Sequence, residues 1–246
     1  MTFSRFDRQT SLPGMDQRRL ADSSALVIGA GGLGSPVIIY LAGAGLGRVD
    51  VCDDDSVEET NIHRQTLYTN NDIGQKKAYV AAHRVIDVGA ESLAICSKFC
   101  DPDPGTRRST ASVATKYSII LDCTDRWSSH DAVISAGLSA GVPVVHGSIQ
   151  GLLGRVIVFR PGGACWRCLH PERPSGTKDG PQGTLGPVCG VVGSMMALEA
   201  LKVLLEWEGL KDTMAVYDGM AVKVSHFAMP KDPACANHGG AHEAEV

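Results

Sequence analysis

The stretch ALVIGAGGLG, residues 25–34, sets Gly29, Gly31 and Gly34 in a G-x-G-x-x-G pattern after an apolar run and before a helix-like segment. Glycines in that place let a chain turn sharply and approach a phosphate. The helix start behind them offers free N–H groups and a partial positive charge. About 20 residues on, at the end of the apolar run RVDVC, stands Asp53-Asp54-Asp55, where an acid can take ribose hydroxyls. NAD, FAD and ATP all fit that far. Arg64 and Lys77 then bring two cations within reach of the turn, and Asp122 and Asp125 place carboxylates at a strand end. Two cations and a carboxylate suit a triphosphate with Mg²⁺ better than a dinucleotide, which has no γ-phosphate. The chemistry indicated is nucleotidyl or phosphoryl transfer.

A second set of residues suggests a metal. Cys165-x-x-Cys168 and Cys235-x-x-His238 are two ligand pairs far apart in sequence, the spacing of a closed tetrahedral zinc site. His170 and His242 compete with His238 for the fourth position. A redox role for the first pair lacks a thioredoxin-like setting. Cys52, Cys96, Cys123 and Cys189 lie in apolar runs and read as small core residues.

The elements that must position these groups alternate. Strand-like runs fall at 25–29, 48–52, 92–99, 117–124, 142–149 and 154–159. Helical stretches fall at 35–44, 75–88 and 128–140. That order predicts an α/β fold with a doubly wound, mostly parallel, Rossmann-like sheet. Residues 161–187 read as a long Gly/Pro-rich crossover loop, 188–209 as an apolar helix, and the chain around 217–220 as a turn between two short strands. The spacing predicts one domain over 1–246, with an arm at about 1–20 and a zinc-bearing tail at about 228–239 that staples back onto the crossover loop.

Bulk properties exclude other classes. With a formal charge of −4 the chain has no basic face, so nucleic acid is not expected as a partner. No apolar run is expected to reach membrane-spanning length, and the first ten residues lack a signal-peptide core, so the expected location is cytoplasmic.

Seven motifs then occur in order: the GAGGLG turn (Gly29, Gly31, Gly32, Gly34), D-x-D-x-V (Asp53, Asp55, Val57), N-x-x-R-Q (Asn61, Arg64, Gln65), D-I-G-x-x-K ending at Lys77, D-C-T-D (122–125), C-x-x-C, and G-P-x-x-G-x-x-G (186–193). In these, and in the arm RFDRQTSLPGMDQRRL, the chain resembles the MoeB/ThiF/HesA family of adenylyltransferases, relatives of the ubiquitin-activating enzymes. The resemblance implies that ATP adenylates the C-terminal glycine carboxylate of a small ubiquitin-like sulfur carrier ending in Gly-Gly. It implies Asp53 on the ribose, Asn61, Arg64 and Lys77 on phosphates, Asp125 on Mg²⁺, and Arg8 reaching across a homodimer. The cofactors implied are ATP, Mg²⁺ and Zn²⁺, with a separate sulfur donor.

The chain departs from the family where N-F-x-x-R-x-x-x-N usually follows D-C-T-D, since Arg126 and Ile134 stand at the two asparagine places and His130 at the arginine place. The cysteine that some relatives use for a covalent link to the carrier falls near Asp179, where there is no thiol. Adenylation of a peptide or another carboxylate is the alternative. An NAD(P)-dependent oxidoreductase or an inactive scaffold subunit leaves more of the motifs unexplained.

Overall fold

The computed structural model describes residues 4–99, 113–171, 183–235 and 237. Two short helices, α1 (Asp7–Thr10) and α2 (Gln17–Ala21), precede β1 (Ser24–Ile28), α3 (Gly34–Gly43), β2 (Arg48–Cys52), α4 (Lys77–Asp87) and β3 (Ala94–Ile95). Then come β4 (Ile119–Asp122), α5 (Trp127–Ser139), β5 (Val144–Gln150), β6 (Leu153–Phe159), α6 (Trp166–Leu169), α7 (Gly186–Leu204), β7 (Thr213–Asp218) and β8 (Lys223–Ala228).

The strands form one sheet in the order β3-β2-β1-β4-β5-β6-β7-β8. Pairing is parallel from β3 to β5 and antiparallel from β5 to β8. The parallel strands read as continuous apolar runs because both faces are covered. Ala25, Val27, Val49, Val51, Ile119 and Leu121 pack with α3, α4 and α7 on one side. Leu26, Ile28, Ile120, Val144, Ile157 and Phe159 pack with α5 and α6 on the other. Alternate residues serving opposite layers is the period-two signature of a strand.

Several boundaries differ from expectation. The run at 92–99 yields only two strand residues, because β3 is the sheet's edge and pairs with β2 through Ala94 and Ile95 alone. Cys96, expected in the core, is therefore exposed, while Cys52, Cys123 and Cys189 are buried. The crossover segment contains the helical turn α6. Contrary to expectation, one helix, α7, is long and apolar enough to cross a membrane by length and composition. Val188, Val192, Met196, Ala197 and Ala200 of that helix are buried in the core against the sheet.

Candidate functional site

In a doubly wound sheet the crevice opens where successive crossovers leave in opposite directions. Here that point lies between β1 and β4, whose ends are in register at Ile28 and Asp122. Gly29 follows β1 with φ +91°, a left-handed conformation that glycine adopts without strain. A Cβ there would lie 2.6 Å from the Cys123 carbonyl oxygen, and one on Gly34 would lie 2.0 Å from the Gly29 oxygen. Only bare backbone fits this turn. Gly32 is pressed in the same way, its Cβ direction filled by Cys189 Sγ at 2.9 Å, and Gly31 faces the Gln65 amide at 3.6 Å.

Asp53 is tied into the turn itself. Its Oδ2 accepts from Ala30 N–H at 2.7 Å and its Oδ1 from Asp55 N–H at 2.8 Å. Burial raises its pKa above the usual aspartate value, although the Ala30 N–H and Lys77 pull the other way. The Tyr68 hydroxyl donates to Ala30 oxygen at 2.8 Å from the opposite side. Nothing in the sequence singled out that tyrosine except its place just after N-x-x-R-Q.

The two cations are placed differently. Lys77 opens α4 with its side chain nearly buried, and its Nζ reaches Asp55 Oδ2 at 3.0 Å. Arg64 is half-buried, its Nη1 donating to Thr60 oxygen at 2.9 Å and lying 2.8 Å from His63 Nε2. Gln65 is 4% exposed and its Oε1, fully enclosed, has no hydrogen-bond partner among the described residues. An enclosed acceptor without a donor, beside a turn that only glycine fits, suits a polar ligand better than an empty crevice.

Two expected nucleotide residues have protein partners of their own. Asn61 is buried and closes the 3₁₀ turn Glu59–Asn61, its Oδ1 accepting from Glu58 N–H at 3.1 Å. It acts there as a cap. Asp122 is fully buried, its Oδ2 accepting from His130 Nδ1 at 2.9 Å and His146 Nδ1 at 2.8 Å. These two hydrogen-bond donors hold the carboxyl far below the usual range despite its burial. It therefore stands behind the crevice and does not line it. Asp125, three residues on, is exposed, and Arg126 beside it is exposed as the N-cap of α5. Ile134 sits in the core.

Arg8 lies on α1, in an arm fastened to the C-terminal ends of α3 and α4. Gln9 and Gln17 both donate to the Ala44 oxygen, at 2.8 and 3.0 Å, and Arg5 donates to the Val88 oxygen. Ala44 caps the end of α3, and α3 begins at the glycine turn. A ten-residue helix is about 15 Å long, so the arm and the turn occupy opposite ends of it.

The cysteine pairs converge on α6. Cys165 Sγ lies 3.8 Å from Cys168 Sγ and 3.7 Å from Cys235 Sγ. Thiolates at about 2.3 Å from a tetrahedral zinc stand about 3.8 Å apart, whereas a disulfide needs about 2.05 Å. The three sulfurs fit three corners of such a site. His238 and His242 lie outside the described residues, as does Asp179, and His170 packs its ring on Trp127 and Trp166 at 4.4 Å from each.

With that geometry in place, the chain's likeness to known proteins is informative. The model of the ThiF family matches residues 6–237. The sulfur carrier protein ThiS adenylyltransferase of Escherichia coli K12 is 31% identical over 252 residues, covering 99% of this chain and 98% of that protein. The sulfur carrier protein adenylyltransferase of Thermus thermophilus is 36% identical over 244 residues, covering 94% and 89%. The adenylyltransferase and sulfurtransferase MOCS3 of Anopheles gambiae is 35% identical over 95% of the chain, which spans only 54% of that relative. Among solved structures, E. coli MccB with ATP superimposes with a TM-score of 0.81 at 18% identity, over 97% of this chain and 75% of that one. That likeness is one of fold.

Proposed function

The chain belongs to the ThiF family and is an adenylyltransferase, and from that premise we propose that it activates the C-terminal carboxylate of a small sulfur-carrier protein with ATP. What supports this reading is the glycine turn at the switch point, with Asp53 hydrogen-bonded to it and Lys77 paired with Asp55, combined with relatives that are sulfur-carrier adenylyltransferases along nearly their whole length.

In this reading the backbone of Gly29, Gly31, Gly32 and Gly34 lies against the phosphates, in a tight turn that side chains on Gly29 and Gly34 would break against the protein's own backbone. Asp53 holds the ribose hydroxyls, and Gln65 offers its free acceptor nearby. Arg64 and Lys77 neutralise the phosphates. Lys77 exchanges Asp55 for phosphate oxygens, or keeps both, at the cost of little motion. Asp125 holds Mg²⁺, which supplies charge neutralisation on the triphosphate when bound. The carrier's carboxylate oxygen attacks the α-phosphorus, the bond to the β-phosphate oxygen breaks, and pyrophosphate leaves with its electron pair. The protein's contribution is alignment and fixed charge.

Cys165, Cys168 and Cys235, with His238 as fourth ligand, would hold a structural zinc that ties the tail to α6. The site is closed and has no chemical part in the reaction. Cys189 is buried and its thiol is pushed up by that burial, which makes it a poor nucleophile. A separate sulfur donor therefore attacks the bound acyl adenylate directly, its sulfur bonding the acyl carbon as AMP leaves. A homodimer completes each site, Arg8 reaching the partner's phosphates. An open groove of about 730 Å³ between α3 and α7, lined by Ile39, Tyr40, Val191, Met195 and Leu198, supports a second copy as its cover.

The test is ATP–pyrophosphate exchange against a panel of carriers ending in Gly-Gly. Exchange should depend on one such carrier and fall to background in Asp125→Ala while the circular dichroism spectrum is kept. Intact mass of the same reaction should show no enzyme–carrier adduct. Exchange that persists in Asp125→Ala sinks the assignment of the metal carboxylate.

A further inference from the structure

The cluster of His130, His146 and Asp122 is absorbed by none of these roles, yet it lies directly under the turn that carries Asp125. Asp122 ends β4 and is fully buried, His146 is 1% exposed on β5, and His130 is 7% exposed on α5. A buried carboxylate is costly unless its oxygens are saturated with donors. Here they are. Oδ2 accepts from both imidazoles at Nδ1, while Oδ1 accepts from the Thr124 hydroxyl at 2.8 Å and Thr124 N–H at 3.2 Å. A carboxylate offers about four acceptor directions, and four donors fill them, with both histidines in the Nδ1–H tautomer. His130 Nδ1 also lies 3.0 Å from Thr124 Oγ1, so the histidine and the threonine brace one another.

One carboxylate thereby fastens four points of the chain: the end of β4, the turn residue 124, α5 at its fourth residue, and the middle of β5. Asp125 and Arg126, both exposed, lie between two of those anchors, Thr124 before them and His130 after. Trp166 closes the cluster from outside, its ring centroid 5.3 Å from that of His130 and 5.1 Å from that of His146. The register makes the contact unavoidable, since Asp122 and His146 are direct neighbours across β4 and β5.

We infer that His130 and His146, acting through Asp122, are positioning residues for the adenylation reaction, fixing the backbone from which Asp125 projects; the inference rests on the role of Asp125 proposed above. Misplacement of a reacting group by about 1 Å costs up to about a hundredfold in rate, so the brace should register in turnover.

The experiment compares His130→Ala and His146→Ala with His130→Asn and His146→Asn, in which the asparagine amide N–H stands where the Nδ1–H was. Two quantities are read: amide hydrogen exchange across residues 124–127 in the free protein, and kcat and KM in pyrophosphate exchange. The alanine variants should exchange those amides faster and lose about ten- to a hundredfold in kcat with the carrier KM unchanged. The asparagine variants should restore both. Wild-type amide exchange in the alanine variants overturns the brace, even if they are less stable. So does a lost kcat that asparagine fails to restore in a folded variant. If the wild type catalyses no exchange with any carrier, the adenylation role of Asp125 fails while the amide data still decide the brace.

Discussion

Asp53 follows β2 and Asp122 ends β4, the parallel strands on either side of β1, and they are the same residue type, yet burial dominates one and donors the other. Asp53 accepts two backbone N–H groups and keeps a raised pKa, whereas Asp122 gathers two imidazoles and a threonine and is driven strongly down. His146 feels the same enclosure from the other side. Burial depresses its pKa first, with His130 and Arg155 adding to that effect and Asp122 opposing it. An unfolded histidine takes up a proton near pH 6.5, while the folded His146 stays neutral to lower pH. The unfolded state then binds more protons, so this contribution to stability is whole above about pH 6.5 and is lost as pH falls below it. Urea midpoints between pH 7.5 and 5.5 should therefore decline, and decline less in His146→Asn. His170, held at about 4 chiefly by its burial, works with the same sign and remains in that variant. An unchanged slope would show that His146 is not the group responsible. Asp53, Lys77 and the glycines were legible from type and spacing alone. The histidines were not, because register and a helix start bring them to Asp122 from two separate elements. The capping role of Asn61 was not legible either, since a motif letter does not tell a cap from a ligand.

Among the elements, the alternating strand–helix order was readable because each parallel strand is a short apolar run and α3, α4 and α7 begin at Gly34, Lys77 and Gly186-Pro187. Ends were harder. The helix expected at 188–209 is observed over Gly186–Leu204, because Pro187 belongs in its first turn and the chain turns out at Glu206 with φ 56°. The apolar pattern continues past that point and hides the stop. The short α6 was hidden too, in a stretch whose glycines and prolines read as loop. Its two cysteines gave the better signal. If those thiolates and Cys235 hold zinc, purified protein should contain about one zinc per chain. Chelation or Cys235→Ser should release the tail near residue 235 to proteolysis while leaving the sheet folded. Protein that is reduced, folded and metal-free, with the tail still protected, would contradict the staple.

At the scale of the molecule, the arm and the glycine turn lie at opposite ends of α3, which is the arrangement that the proposed reach of Arg8 into a partner's site requires. Mixing inactive Arg8→Ala chains with inactive Asp125→Ala chains should then restore part of the activity, since a hybrid dimer contains one site with both residues intact. At random pairing half of the dimers are hybrids and each has one good site, so about a quarter of wild-type activity is expected. Subunit exchange seen by native mass spectrometry without recovery would refute the trans arrangement. The sheet's change of sense at β5 has a consequence for time as well as for shape. Residues 151–152 join β5 to β6, and residues 219–222 join β7 to β8, so both pairs close over short spans. By contrast, β1 meets β4 across more than 90 residues of sequence, from Ala25 to Ile119. Contacts between distant residues form late because loop closure must come first. Pulse-labelled refolding should show protection of the β5–β6 hairpin before that of β1 and β4, which leaves the nucleotide crevice as the last part of the protein to come into being.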